Sequence, residues 1–197
     1  FSNPLLSFDE ILFIKRHRPS FNHMCDQYYG INAQPGGGLY VLHDPFGPEP
    51  KVEDVLADSV VERGRLKGRK LQGGGFLSPD LSYDGREVLF AWKRGGREMA
   101  DPFTMTVELD RSVSENNFQI YRVNIDGTGL TQLTDGPHNN LDPCWLPDGG
   151  IAFTSDRKPA FAYCWVVTSP VLYRMDRDGK NQRRLSANYL MDFSPSV

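Results

Sequence analysis

The sequence predicts an all-β protein built from repeated four-stranded antiparallel units, and three observations predict it. First, landmarks recur at matched offsets: Pro79 to Gly85 and Pro143 to Gly149 are both six residues, and Tyr121 to Leu133 and Tyr173 to Leu185 are both twelve. Second, Asp-Gly pairs fall at 84–85, 126–127, 148–149 and 178–179 between apolar segments. Tight turns between antiparallel strands favour glycine at positive φ and aspartate for its local hydrogen bonds. Third, the apolar segments alternate only partly, as in Gln119 to Asn124, the pattern of strands covered on both faces. Sequential four-stranded sheets packed face to face form a β-propeller, so the chain reads as a partial β-propeller, with a β-sandwich as the alternative fold.

The first full copy predicts strands at about Phe76 to Ser82, Glu87 to Lys93, Phe118 to Asn124 and Gly129 to Thr134. The second predicts them at about Asp142 to Leu146, Gly150 to Ser155, Val171 to Asp176 and Gln182 to Ser186. A degenerate earlier copy is traced through Glu10 to Arg16 and Gly38 to Leu42, which match the second and third strands of the later ones. Lys51 to Arg63 reads as a connection with a helical turn at Val52 to Leu56. The expected divisions are a degenerate blade with its connecting segment at 1–75, including an irregular loop at 18–37; a blade at 76–141 with an insertion at 95–117; a blade at 142–192; and the start of a further blade at 193–197. The chain begins at Phe1 and stops where a third Pro-led copy starts, so it reads as a piece of a longer protein.

Composition fits a globular chain: 39% hydrophobic, with 19 glycines and 14 prolines spread among turns. A formal net charge of −3 with both signs interspersed argues against a nucleic-acid partner. No stretch approaches the roughly 20 apolar residues of a membrane-spanning helix. The densest basic run, Arg63, Arg65, Lys67, Arg69 and Lys70, is either a solvated loop or a surface for an anion or acidic partner.

Residues with the chemistry to form a site concentrate in the irregular loop. His17, His23, Met24 and Cys25 fall within nine positions, and sulfur and imidazole donors suit zinc, copper or haem iron. His23 and Cys25, at i and i+2, point to one side of an extended strand and make the metal candidate, with the remaining ligands supplied from elsewhere. The alternative is a packed loop in which Cys25 is a small buried residue and His23 bonds a carbonyl. Cys144 and Cys164 form a disulfide, hold a metal or stay free; spacing does not decide. Neither Gly36-Gly37-Gly38 nor Gly73-Gly74-Gly75 opens a helix, so both predict flexible connections or close backbone contacts and not phosphate cradles. Asp84, Asp126, Asp148, Asp156, Arg157 and Asp178 read as turn and loop residues.

Two resemblances add to this. Ser78-Pro79-Asp80 through Leu89-Phe90, Ile120 through Thr128 with Leu133-Thr134, and Phe153-Thr154-Ser155-Asp156-Arg157 resemble the propeller repeat of TolB-type proteins, a periplasmic WD-repeat-like module. Residues 23–30, 35–39, 56–62 and 142–149 resemble the propeller-bearing middle domain of the hydrazine synthase alpha-subunit family and its uncharacterised bacterial relatives. That resemblance implies an extracytoplasmic bacterial protein, periplasmic or equivalent, whose propeller supports a haem and metal redox site lying largely outside these residues. It implies zinc, with Cys25 and His23 as the positions to test, and protein partner subunits or a haem domain of the same chain. No Cys-x-x-Cys-His occurs here, so haem c would be attached in a C-terminal region beyond Val197. The TolB resemblance implies instead a non-catalytic module that binds a protein or a cell-envelope ligand.

Overall fold

Every described strand belongs to one of three antiparallel sheets. A computed structural model describes residues 4–18, 30, 33–95, 112–158, 160 and 168–197. The first sheet pairs β1 (Glu10–Lys15), β2 (Gly38–His43) and β3 (Lys51–Asp54) in that order. The second runs β4 (Gly75–Leu81), β5 (Glu87–Lys93), β6 (Gln119–Asn124) and β7 (Thr131–Gln132). The third repeats that order with β8 (Asn140–Trp145), β9 (Ile151–Ser155), β10 (Val171–Met175) and β11 (Arg183–Arg184). This is the antiparallel four-stranded repeat that the offsets predicted, and β1 lies beside β4 much as β5 lies beside β8.

The expected helical turn at Val52 to Leu56 is not formed. Lys51 to Asp54 is a strand, paired through Tyr40 with Asp54 and His43 with Lys51. Its only apolar residue, Val52, is exposed, so no hydrophobic period announces it; cross-strand partners hold it, including the His43 Nε2 contact to Glu53 at 3.0 Å.

All four Asp-Gly pairs turn as predicted. Gly85, Gly127, Gly149 and Gly179 have φ between 71° and 85°, and each donates its N–H to the carbonyl three residues back. The aspartates themselves stay at negative φ, each accepting at Oδ1 from the N–H two residues on, so these are type I turns closed by a left-handed glycine.

Packing explains the broken alternation. On β5, Val88, Phe90 and Trp92 join a cluster with Leu39 and Val41 of the first sheet and with Val55, Val61, Leu66 and Leu71 of the connecting segment. Leu89, together with Ile120 and Leu133, faces the other way, against Trp145, Ile151, Phe153, Val171, Tyr173 and Met175 of the third sheet. Phe90 stacks on Tyr121 at 5.7 Å, and Phe153 meets Tyr173 at 5.8 Å at the matching place in the next copy. The segment between β3 and β4 lies along β7, where Glu62 donates its N–H to Leu130 and Gln132 donates to Arg63, so the outer edge of the middle sheet is covered.

The first strands carry a second repeated device. Register slips by one residue between Leu77 and Asp80 and again between Leu141 and Cys144. The residue at each bulge, Ser78 and Asp142, precedes proline and sits at φ near +49°, and Ser194 before Pro195 repeats it at 38°. Residues before proline favour extended backbone, so each kink is strained by about 1–3 kcal/mol and must be held by its surroundings. Ser78 Oγ donates to Asp142 Oδ1, and Asp142 Oδ2 accepts from the Ser194 N–H. Two residues on, Asp80 Oδ2 accepts from the Trp145 N–H at 2.7 Å, and the Cys144 thiol donates to the Trp145 carbonyl at 3.5 Å. The Cys144 thiol is free and buried, and Cys164, its candidate partner, lies outside the described residues. Close approach is visible at the glycine triplets as well: Gly37 donates to the Gly74 carbonyl at 3.2 Å, joining the first two sheets.

Burial pushes the Asp80 carboxyl above the usual carboxylate range, against the opposing pull of the Trp145 N–H. The folded state therefore favours its neutral form, and its contribution to stability falls as pH rises through that raised value. In urea unfolding at neutral pH, Asp80→Asn is expected to match or exceed the wild type. Asp80→Ala is expected to lose about 1–3 kcal/mol by leaving the Trp145 N–H unpaired. Equal losses in the two variants would contradict this account of the link.

Candidate functional site

The long connections share one edge of the sheets, and the Asp-Gly turns share the opposite edge. The β1–β2, β5–β6 and β9–β10 connections all leave the loop edge, as does the β7–β8 connection between the second and third sheets. The β3–β4 connection climbs along β7 and delivers residues 65–72 to the same edge, where Arg65 meets Glu115 and Asp135.

Beneath this edge lies a buried polar network joining the second and third sheets. Gln119 Oε1 accepts from Thr134 Oγ1 at 2.8 Å and from Asn140 Nδ2 at 3.0 Å, while Gln119 Nε2 donates to the carbonyls of Gly136 and His138. Asp156, expected as a loop residue, is 5% exposed. Its carboxylate accepts from the Asn139 N–H, from Asn139 Nδ2 and from Thr168 Oγ1 at 2.6 Å, so it fixes the connection entering β8 to the one entering β10. Arg157 donates to Ser155, Asn140 and Gln182 and lies over the Phe153 and Tyr173 rings, at 5.0 Å from the latter. In the middle sheet, β5 and β6 register places Lys93 where Asp156 falls in the third; Lys93 is buried, its ammonium 5.0 Å from the Phe118 ring centre.

The basic run divides into two parts. Arg65 is committed to the fold: Nε donates to Asp135 Oδ1 and Nη1 to Glu115 Oε1, both at 2.9 Å. The Arg65 hydrogen bond holds the Glu115 carboxyl below its usual range. Burial works to raise the Asp135 carboxyl, but Ser114 and Arg65 together hold it below the ordinary value. Arg69 and Lys70 remain exposed and border a cavity with Trp92 and Arg94.

The metal candidates His23 and Cys25 lie outside the described residues, as does Cys164. The ends of their loop are placed. His17 packs against Gly36, and Pro35 lies against Gly95 and Gly73, so the loop opens beside the insertion that follows β5. Among the described residues, no group of three or more His, Cys, Asp or Glu side chains is arranged to hold a metal ion. The sequence reading missed the Arg65 brace and the buried role of Asp156. Asp135 lies 70 residues from Arg65, and only the repeat, which aligns strand ends, brings them into view.

No protein-family model matches the chain. Solved structures with similar coordinates include the TolB-type protein of Agrobacterium tumefaciens, 20% identical, covering 81% of this chain and 41% of that one at a TM-score of 0.48. TolB from Acinetobacter baumannii is 17% identical over 81% of this chain and 32% of that one, at 0.39. Kuenenia stuttgartiensis hydrazine synthase is 18% identical over 84% of this chain and 21% of that one, at 0.45. The chain thus spans less than half the length of each of these structures.

Because the Glu115 and Asp135 carboxyls are depressed on folding, their contribution is fully present above the ordinary range near pH 4 and is lost as pH falls through the lower folded values. Arg65→Ala removes the partner, so the gap in urea midpoint between wild type and Arg65→Ala is expected to be widest above about pH 5 and to shrink toward about pH 3. A gap independent of pH would contradict the pairing.

Proposed function

We propose that this chain is a propeller scaffold that presents its loop edge as a binding face. The observation that carries the reading is the division of the molecule: the long connections leave from strand ends at one edge, above a braced polar floor, while the opposite edge of the second and third sheets is closed by four short turns. Loops positioned by a rigid scaffold are where binding groups concentrate. Within the described residues, Asp156, Arg157, Asp135 and Arg65 are bonded to neighbours and act as struts under that face.

Two finer versions share this reading. In the first, the scaffold belongs to an extracytoplasmic bacterial redox protein resembling the hydrazine synthase alpha subunit. Zinc is held by Cys25 with His23 in the β1–β2 loop, and the partner is a subunit or a haem domain. The motifs at 23–30 and 142–149 support it, as does the placement of that loop's described ends, His17 and Pro35, at the loop edge. In the second, the chain is a TolB-like module that binds a protein or cell-envelope ligand without catalysis. The commitment of Asp156, Arg157, Asp135 and Arg65 to structural bonds favours it. No helix of the described residues is long and apolar enough to cross a membrane.

A photoreactive side chain placed at Lys67, on the loop edge, is expected to form adducts in the native host, and one at Lys180, beside an Asp-Gly turn, is expected to form none. Equal labelling from both positions would contradict the binding-face reading. Metal analysis of the purified protein separates the versions: near-stoichiometric zinc lost on Cys25→Ala supports the redox scaffold, and metal-free protein supports the non-catalytic module.

A further inference from the structure

On the loop edge, a cavity of about 160 Å³ is bordered by Arg69, Lys70, Gln72, Trp92, Arg94 and Glu115. Among the described residues, three cations face it against one carboxylate, and that carboxylate already accepts a hydrogen bond from Arg65. The cations are held in different ways. Arg94 donates from Nη2 to Asn116 Oδ1 at 2.9 Å, while its backbone N–H is bonded to the Glu115 carbonyl. Lys70 donates to the Ala57 carbonyl at 2.8 Å and lies 3.6 Å from Asp58. Among the described residues, the Arg69 side chain, on the exposed turn after Leu66, has no hydrogen bond or ion pair.

Like charges gathered around one concavity repel each other, and an anion between them turns that repulsion into attraction. Arginine forks match the oxygen pairs of carboxylate and phosphate groups, and the Gln72 amide adds a neutral donor beside them. The Trp92 indole forms an apolar wall, held in place by its N–H bond to the Gly73 carbonyl at 3.1 Å. The volume suits an oxyanion group with a few attached carbons.

We propose that this cavity binds the carboxylate or phosphate group of a small molecule, with Arg69, Lys70 and Arg94 as the recognising side chains. The assignment rests on the reading of the loop edge as a binding face and adds the ligand class to it. The basic run then has two roles: Arg65 braces the face, and Arg69 with Lys70 carries charge into the site.

The test is titration of the purified protein with inorganic phosphate and, separately, with acetate, read by calorimetry and by tryptophan fluorescence. Saturable binding of at least one anion is expected, weakened strongly at about 1 M salt, where the screening length falls to about 3 Å. Arg69→Ala and Lys70→Ala, both at exposed positions, are each expected to weaken it about threefold or more, and Arg94→Gln by about tenfold. Arg63→Ala, in the same basic run but outside the cavity, is expected to leave it unchanged. Preference for phosphate or for acetate identifies which oxyanion the cavity takes. Absence of saturable binding, or equal weakening by Arg63→Ala and Arg69→Ala, overturns the proposal. If adducts from position 67 persist while neither anion binds, the binding face stands and the cavity assignment falls.

Discussion

The middle sheet has two apolar faces, and neither can be left in water. Val88, Phe90, Trp92, Tyr121 and Val123 line one, and Leu89 and Ile120 line the other, all nearly or fully buried. At roughly 1.5–3 kcal/mol for each large side chain removed from water, covering both faces is the dominant favourable term. Here the flanking sheets do this, together with Val55, Val61, Leu66 and Leu71 of the connecting segment. The stacked arrangement, the cover that residues 61–64 provide along β7 and the position of the loop edge all follow from that requirement.

Hydrophobic area sets that sheets stack, but not how far each is rotated against the next. Directional contacts supply the register: the kinks at Ser78, Asp142 and Ser194, the Asp80 to Trp145 bond, and the Gln119, Thr134 and Asn140 network at the other end. Each is a polar or strained element that water or a relaxed chain would accommodate better locally. They persist because the packed sheets over-determine them. The same bonds brace the strand ends at the loop edge, where Arg94 is held by Asn116 and by the Glu115 carbonyl.

Much of this fold was legible in the residues. The Asp-Gly turns and the proline-led first strands carry local signals, and matched offsets extend them to whole sheets. What escaped the reading lacked a local signal. β3 has one apolar residue, exposed, and is a strand because β2 offers it partners. Ser78 and Asp142 precede proline, which locally favours extended backbone, so their left-handed conformation depends on contacts made across sheets. Asp156 follows the last residue of β9 and looks like any loop aspartate, and its burial depends on Asn139 and Thr168 arriving from other connections. The candidate site divides in the same way. The basic run was visible as a run, but its split into a brace and a cavity wall required knowing which strand ends meet. The metal candidates His23 and Cys25 stand on their residue chemistry and on the loop they occupy.

Native-state hydrogen exchange of the purified chain, resolved strand by strand, tests the central claim most directly. If face-to-face covering of the middle sheet holds the molecule together, amides of β5 and β6 exchange most slowly and open only with global unfolding, while β3 and β11, exposed along their length, exchange through local opening. Three sheets with similar protection, each opening independently, would contradict the account.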